Sequence, residues 1–142
     1  GAMARAPENT LGAFRAALDD GGVGIELDTC LSGDSVPVVL HDDTLDRTTN
    51  IHGKPSDYDA DELAGVDAGS WFGAEWHSER VPRLSEVFLA MPRNAIVTVE
   101  IKGPTVEKWA DRTGSAHGYV DVSHTLELFG TCAECSASAT TS

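Results

Sequence analysis

Basic residues are scarce in this chain: ten Lys and Arg stand against 23 Asp and Glu, for a formal net charge of −13. Clustered Lys and Arg are what grip a phosphate backbone, so nucleic acid is excluded as a partner. An anionic substrate would need a metal ion or a local basic residue. Long apolar runs are missing too. None approaches the roughly 20 residues of a membrane span, and no basic-then-apolar segment of secretory type opens the chain. A soluble protein without a membrane partner is therefore expected, cytoplasmic as expressed. Cysteine is limited to three residues, an odd number. Cys30 falls in an apolar stretch and reads as a buried thiol, while Cys132-x-x-Cys135 favours a reducing compartment and metal over a disulfide framework. No internal repeat is visible.

What the chain does have is 41% hydrophobic residues in a length of 142, enough for one modest domain with a core. A closed eight-stranded barrel does not fit in that length. Gly1-Ala2-Met3 reads as a cloning remnant. The informative stretch is Gly24 to Asp43, GIELDTCLSGDSVPVVLHDD. Residues two apart on a strand share a face, so Glu26 and Asp28 project together, and a second apolar run, Val36 to Leu40, ends in His41. Two carboxylates on one face repel unless solvated, protonated or bridged, and hard oxygen ligands suit Mg²⁺, Ca²⁺ or Mn²⁺. For an isolated Glu-x-Asp the ordinary reading is a wet strand edge.

In chain order, Pro7-Glu8-Asn9-Thr10 opens a helix capped by Asn9 or Thr10, with Leu11, Phe14, Ala17 and Leu18 at helical spacing and Gly21-Gly22 as the stop. Two strands follow. From Thr44 to Arg83 the periodicity fades into an excursion rich in Asp, Gly and Ser, ordered by Trp71, Phe72 and Trp76; His52 and His77 within it read as solvated surface. Pro82 to Glu86 starts a helix with Val87, Phe88 and Met91 on its apolar side, ended by Pro92. Ala95 to Ile101 is a third strand, finishing in Glu100-Ile101-Lys102. Gly103-Pro104 breaks it, Thr105 to Ala116 reads as a helix, and Tyr119 to Phe129 alternates as a half-buried strand of antiparallel type. Residues 136–142, SASATTS, read as a disordered tail. The three tryptophans read as core or interface.

The ordered motifs PENTLGAF, GIELD, VPVVLHDDTLDRTT, ELAGVDAGSWF, VPRLSEV and VEIK, over residues 4–103, resemble the glycerophosphodiester phosphodiesterase family. That family is a TIM barrel that hydrolyses glycerophosphodiesters to glycerol 3-phosphate and an alcohol with one divalent cation and two histidines. The resemblance implies that Glu26, Asp28 and Glu100 are ligands of Mg²⁺ or Ca²⁺, that His41 is one acid/base histidine and that Lys102 holds substrate phosphate. The family's opening His-Arg-Gly has no counterpart here, which predicts impaired or absent catalysis. Residues 104–135 instead resemble the end of a ferric/zinc uptake regulator. This implies Cys132 and Cys135 as zinc ligands, with Glu107 and His124 at a regulatory metal site. Structural zinc wants four ligands, so two more must come from a second copy, from His117 or His124, or not at all.

Together these readings predict an α/β chimera: a partial TIM barrel of three parallel strands with their helices over 4–103, followed by a regulator-like helix and strand. Unpaired strand edges predict self-association as a homodimer. Three functions of different class follow: a phosphodiesterase-like hydrolase acting on a glycerophosphodiester-type small molecule, a zinc-binding dimerisation module, and a non-catalytic chimeric scaffold.

Overall fold

Alternating burial dictates the central strand. Along β1 (Gly24–Leu31), Ile25 and Leu27 are buried while Glu26 between them is exposed. The structure, a computed structural model, describes residues 5–102 and the strand residues 127–128. Its sheet has four strands in the order β2-β1-β3-β4, where β2 is Pro37–Val39, β3 is Ile96–Ile101 and β4 is Glu127–Leu128.

β1 and β3 are parallel, and the register places Glu26 opposite Thr98 and Asp28 opposite Glu100. Parallel neighbours need a long crossover, supplied here by the whole stretch between them. β2 departs from the three parallel strands expected: it runs antiparallel to β1, with Thr29 opposite Val39. The cause is the short connection. Ser32 to Val36 closes a hairpin through Ser32 N–H to the Val36 carbonyl at 3.1 Å and Ser35 N–H to the Ser32 carbonyl at 3.0 Å, and no crossover fits in so few residues. The outer edge of β2 is covered, since Val39 N–H donates to the Pro82 carbonyl at 2.8 Å. Of the strand expected at 119–129, Glu127–Leu128 joins the same sheet, antiparallel to β3 opposite Val99 and Glu100. The helix expected at 105–116 and the tail at 136–142 lie outside the described residues.

Helix α1 (Leu11–Asp19) starts at Thr10, whose hydroxyl accepts from Ala13 N–H and donates to the Pro7 carbonyl at 2.7 Å. This satisfies one of the helix's orphan donors. Gly21, at φ 92°, takes the left-handed conformation that ends the helix without strain. Gly24 is required by close approach: a Cβ there would lie 2.4 Å from the Ile96 carbonyl oxygen. Helix α2 (Ala60–Leu63) is a single turn inside the excursion, and α3 (Leu84–Ala90) follows it. On α3 Val87 is fully buried, and Met91 at its C-cap nearly so, but Phe88 is 52% exposed, so the apolar stripe is narrower than the spacing suggested.

Two cores flank the sheet. Phe14, Ile25, Leu27, Val39, Val87, Met91 and Val99 form one, between the helices and the sheet face that carries the odd-numbered residues of β1. Val38, Leu40, Leu45, Ala60, Leu63, Val66, Ala68 and Val81 form the other, beneath the excursion. Aliphatic side chains fill this core, with Tyr58 packed against it; Trp71 is 40% exposed and meets Phe72 edge-on, as Phe72 meets Trp76. Burying the apolar face of β1 against α1 and α3 leaves the Glu26–Asp28 face free for polar work.

Candidate active site

Three short constraints bring the polar residues together. The β1/β3 register sets Asp28 beside Glu100. Leu40 N–H donates to the Asp28 carbonyl at 3.1 Å, which brings His41 to the end of β1. Lys102 N–H donates to the Thr29 carbonyl at 2.8 Å, which extends the β3 ladder and turns Lys102 back over the acidic residues.

The result is a focus of charge. Carboxylate oxygens of Glu26, Asp28 and Glu100 all lie within 4.8 Å of one another. Lys102 Nζ stands 2.9 Å from Asp28 Oδ1 and 3.9 Å from Glu100 Oε1, and donates to the His41 carbonyl at 3.1 Å. Asp28 is buried. Partial burial, then the neighbouring Asp28 and Glu100 carboxylates, push the Glu26 carboxyl above its ordinary range, and Lys102 only partly offsets them. Glu8, Asn9, Glu26, Asp28, His41 and Glu100 share a cleft of about 590 Å³ with apolar side chains of α1 and the sheet.

Asn9 carries more than the helix entry expected of it. At φ 56° it turns its amide towards Asp28: Nδ2 donates to Asp28 Oδ2 at 3.1 Å, and Oδ1 accepts from Asp28 N–H at 3.4 Å. A second polar group, Glu8, His41 and Asp42, also lies within 4.8 Å, but Arg47 satisfies it from inside. The guanidinium bonds Asp42 through Nε at 2.6 Å and Nη2 at 2.9 Å, and Glu8 through Nη1 at 3.0 Å and Nη2 at 2.6 Å. Its hydrogen bonds, joined by that of His41, hold the Asp42 carboxyl far below the usual range. His41 Nδ1 lies 2.8 Å from Asp42 Oδ1.

Of the residues singled out in the sequence, Glu26, Asp28, Glu100 and His41 line this cleft, and Lys102 is tied to them through Asp28 and the His41 carbonyl. Glu107, His124, Cys132 and Cys135 lie outside the described residues. His52 and His77 are exposed, and His52 pairs with Asp46 at 2.9 Å. Cys30 is half-buried rather than buried, and desolvation pushes its thiol up to about 11. Glu8, Asn9, Asp42 and Arg47 had no role assigned at the site, although all four fall inside the quoted motifs PENTLGAF and VPVVLHDDTLDRTT. Asn9 was hidden by its value as a helix cap.

The sequence profile of the Glycerophosphoryl diester phosphodiesterase family matches residues 1–130. The chain belongs to that family. A glycerophosphodiester phosphodiesterase of Caldanaerobacter subterraneus is 46% identical over 101 residues, covering 70% of this chain and 42% of that protein. A solved glycerophosphodiester phosphodiesterase from Agrobacterium tumefaciens matches with TM-score 0.70 and 39% identity over 80% of this chain and 50% of that one. An Oleispira antarctica phosphodiesterase, solved with the product sn-glycerol-3-phosphate, matches with TM-score 0.71 and 36% identity over 82% of this chain and 47% of that one. The chain thus spans less than half the length of the curated relative quoted. Its neighbours are of the TIM-barrel fold expected, and the chain is a partial α/β fragment of it. The family match runs past residue 103, where a second, regulator-like parent was expected to begin.

Proposed function

We propose that this chain supplies the cation-binding and proton-transfer residues of a phosphodiester hydrolase acting on glycerophosphodiesters. The observation that carries the reading is the convergence of Glu26, Asp28 and Glu100 in one cleft with His41, with Lys102 paired to Asp28 at its border. The donor set fits a divalent cation. Three carboxylates against one ammonium leave two negative charges, and hard carboxylate oxygens that can approach one focus are the donors Mg²⁺ and Ca²⁺ take. Partial burial first, and the Asp28 and Glu100 carboxylates second, raise the proton affinity of Glu26, and a bound cation would offset both.

When bound, such a cation polarises a phosphoryl oxygen. The residues of the chain do the rest. Asp28, buried and held by Asn9 and Lys102, would be the fixed ligand of such a cation, and Glu26 and Glu100 would complete the set from neighbouring positions of the sheet. Lys102 offsets charge developing on the phosphate oxygens. His41 takes or gives the proton at the attacking or leaving oxygen, a contribution of about 10²–10⁴ in rate. Hydrolysis of a diester by this route asks for a base at one oxygen and an acid at the other. Among the described residues His41 is the one histidine lining the cleft, so a low rate is expected from these residues alone.

The test is release of glycerol 3-phosphate from glycerophosphocholine by the purified chain with Mg²⁺ or Ca²⁺. Turnover lost in His41→Ala and in chelator supports the reading; no turnover above a blank of metal alone ends the catalytic half of it. Cation affinity measured by calorimetry, lost in Asp28→Asn, tests the binding half separately. A zinc-binding dimerisation module and a non-catalytic scaffold remain the contrasting readings. The first rests on Cys132 and Cys135 with His124 and Glu107, and zinc at one equivalent or more per chain after purification is the result that would favour it.

A further inference from the structure

Asp42 and Arg47 have no part in the chemistry described so far, yet a continuous hydrogen-bonded network joins them to His41 and Glu8 of the cleft. The Arg47 guanidinium lies against one edge of the Asp42 carboxylate with two bonds of 2.6 and 2.9 Å, and grips Glu8 with two more of 3.0 and 2.6 Å. Its flank rests 6.0 Å from the centre of the Trp71 ring. Asp42, so held, presents Oδ1 to His41 Nδ1 at 2.8 Å. An ionised carboxylate can only accept, so Nδ1 must carry the proton in this contact. In the neutral ring, Nε2 is then left bare.

We infer that Arg47 is a positioning residue: by clamping Asp42 and Glu8 together it fixes His41 in the Nδ1–H tautomer with Nε2 free to accept a proton. The inference rests on the reading of His41 as the proton-transfer residue. The histidine tautomer is set by the bond its other nitrogen makes, and the partner that makes it here is immobile only because of the fork from Arg47. Lysine offers a point charge without that planar pair of donors. Glu8 precedes Asn9, which bonds Asp28, so the same clamp ties the turn that steadies an acidic residue to the turn that carries the histidine. Stability is not its main contribution. Arg47 is 47% exposed and Asp42 27% at their side chains, and ion pairs that open to water add little.

Long-range ¹H–¹⁵N spectra of the histidine rings test this without turnover, so a chain that hydrolyses nothing still decides it. The His41 signals are assigned by their loss in His41→Gln. Above the titration of the ring, the wild type is expected to show Nδ1 protonated and Nε2 bare, and Arg47→Met is expected to lose that state for the ordinary Nε2–H mixture with little change in melting temperature. Arg47→Lys is expected to lose it as well. A wild-type ring protonated at Nε2 would overturn the inference by itself, even if Arg47→Met failed to fold. Retention of the Nδ1–H state in either Arg47 variant would overturn it equally, because the clamp would then be dispensable.

Discussion

Glu26 bears the unbalanced charge of the cleft. Its carboxyl is pushed above 4.5 by burial and then by Asp28 and Glu100, so the folded chain binds a proton there more tightly than the unfolded chain does. Stability from this group is fully present below the unfolded value near 4.5 and is lost as pH rises through the raised folded value. Glu26→Gln removes that loss. The cation-free variant is therefore expected to melt higher than wild type at pH 7, by less than about 1 kcal/mol because the side chain is open to water, and to converge with it near pH 4; thermal melts across pH check both. Asp67 has the opposite sign, lowered to about 2 by the Ser70 hydroxyl and backbone, so its contribution is present above the unfolded value of 3.8 and is lost as pH falls from there through 2. Asn9 gives a second residue-level prediction. Its φ of 56° suits glycine, so Asn9→Gly keeps the turn while deleting the amide that holds Asp28. A weaker cation affinity by calorimetry, with stability down by about 1 kcal/mol, is expected, and an unchanged affinity would show that Asp28 needs no such support.

Elements were legible to different degrees. Alternation placed Glu26 and Asp28 on one face, because a period of two fixes the face, whereas Glu100 and the grouping of all three around a cation came from the family resemblance. The start of α1 was readable from Thr10 and its end from Gly21. The direction of β2 was not deduced, although the five-residue link from Ser32 to Val36 admits a hairpin and excludes a crossover. Phe88 was misplaced because helical spacing marks a stripe without giving its width, and only tertiary packing decides that Val87 faces the sheet and Phe88 does not. The partnership of Glu8 with Arg47 joins residues 39 apart, and no local period encodes it. The strength of each element follows from the same packing. Leu27 is fully buried between α1, α3 and the sheet, so Leu27→Ala should cost about 2–5 kcal/mol. Thr10→Ala, which removes a buried cap, should cost about 1 kcal/mol. Denaturant unfolding of the two variants is expected to preserve that order, and a reversed order would mean that α1 rather than the sheet limits stability.

For the whole molecule the deciding quantity is the net charge of −13, because a chain so acidic gains stability from any cation through screening of self-repulsion. A specific site must be separated from that background. Monovalent salt screens without occupying the carboxylate trio, so at matched ionic strength only the difference between CaCl₂ or MgCl₂ and NaCl reports binding. A ligand held by the folded state alone stabilises by about 2.7 kcal/mol at one hundred times its dissociation constant. The wild type is therefore expected to show a divalent-specific rise in melting temperature that saturates with concentration, and Asp28→Asn to keep the salt response while losing the specific part. Glu75→Gln, which removes one exposed carboxylate away from the cleft, should keep both. If Asp28→Asn responds like wild type, the three carboxylates are only part of a general acidic surface, and their convergence in the fold has no consequence for cation binding.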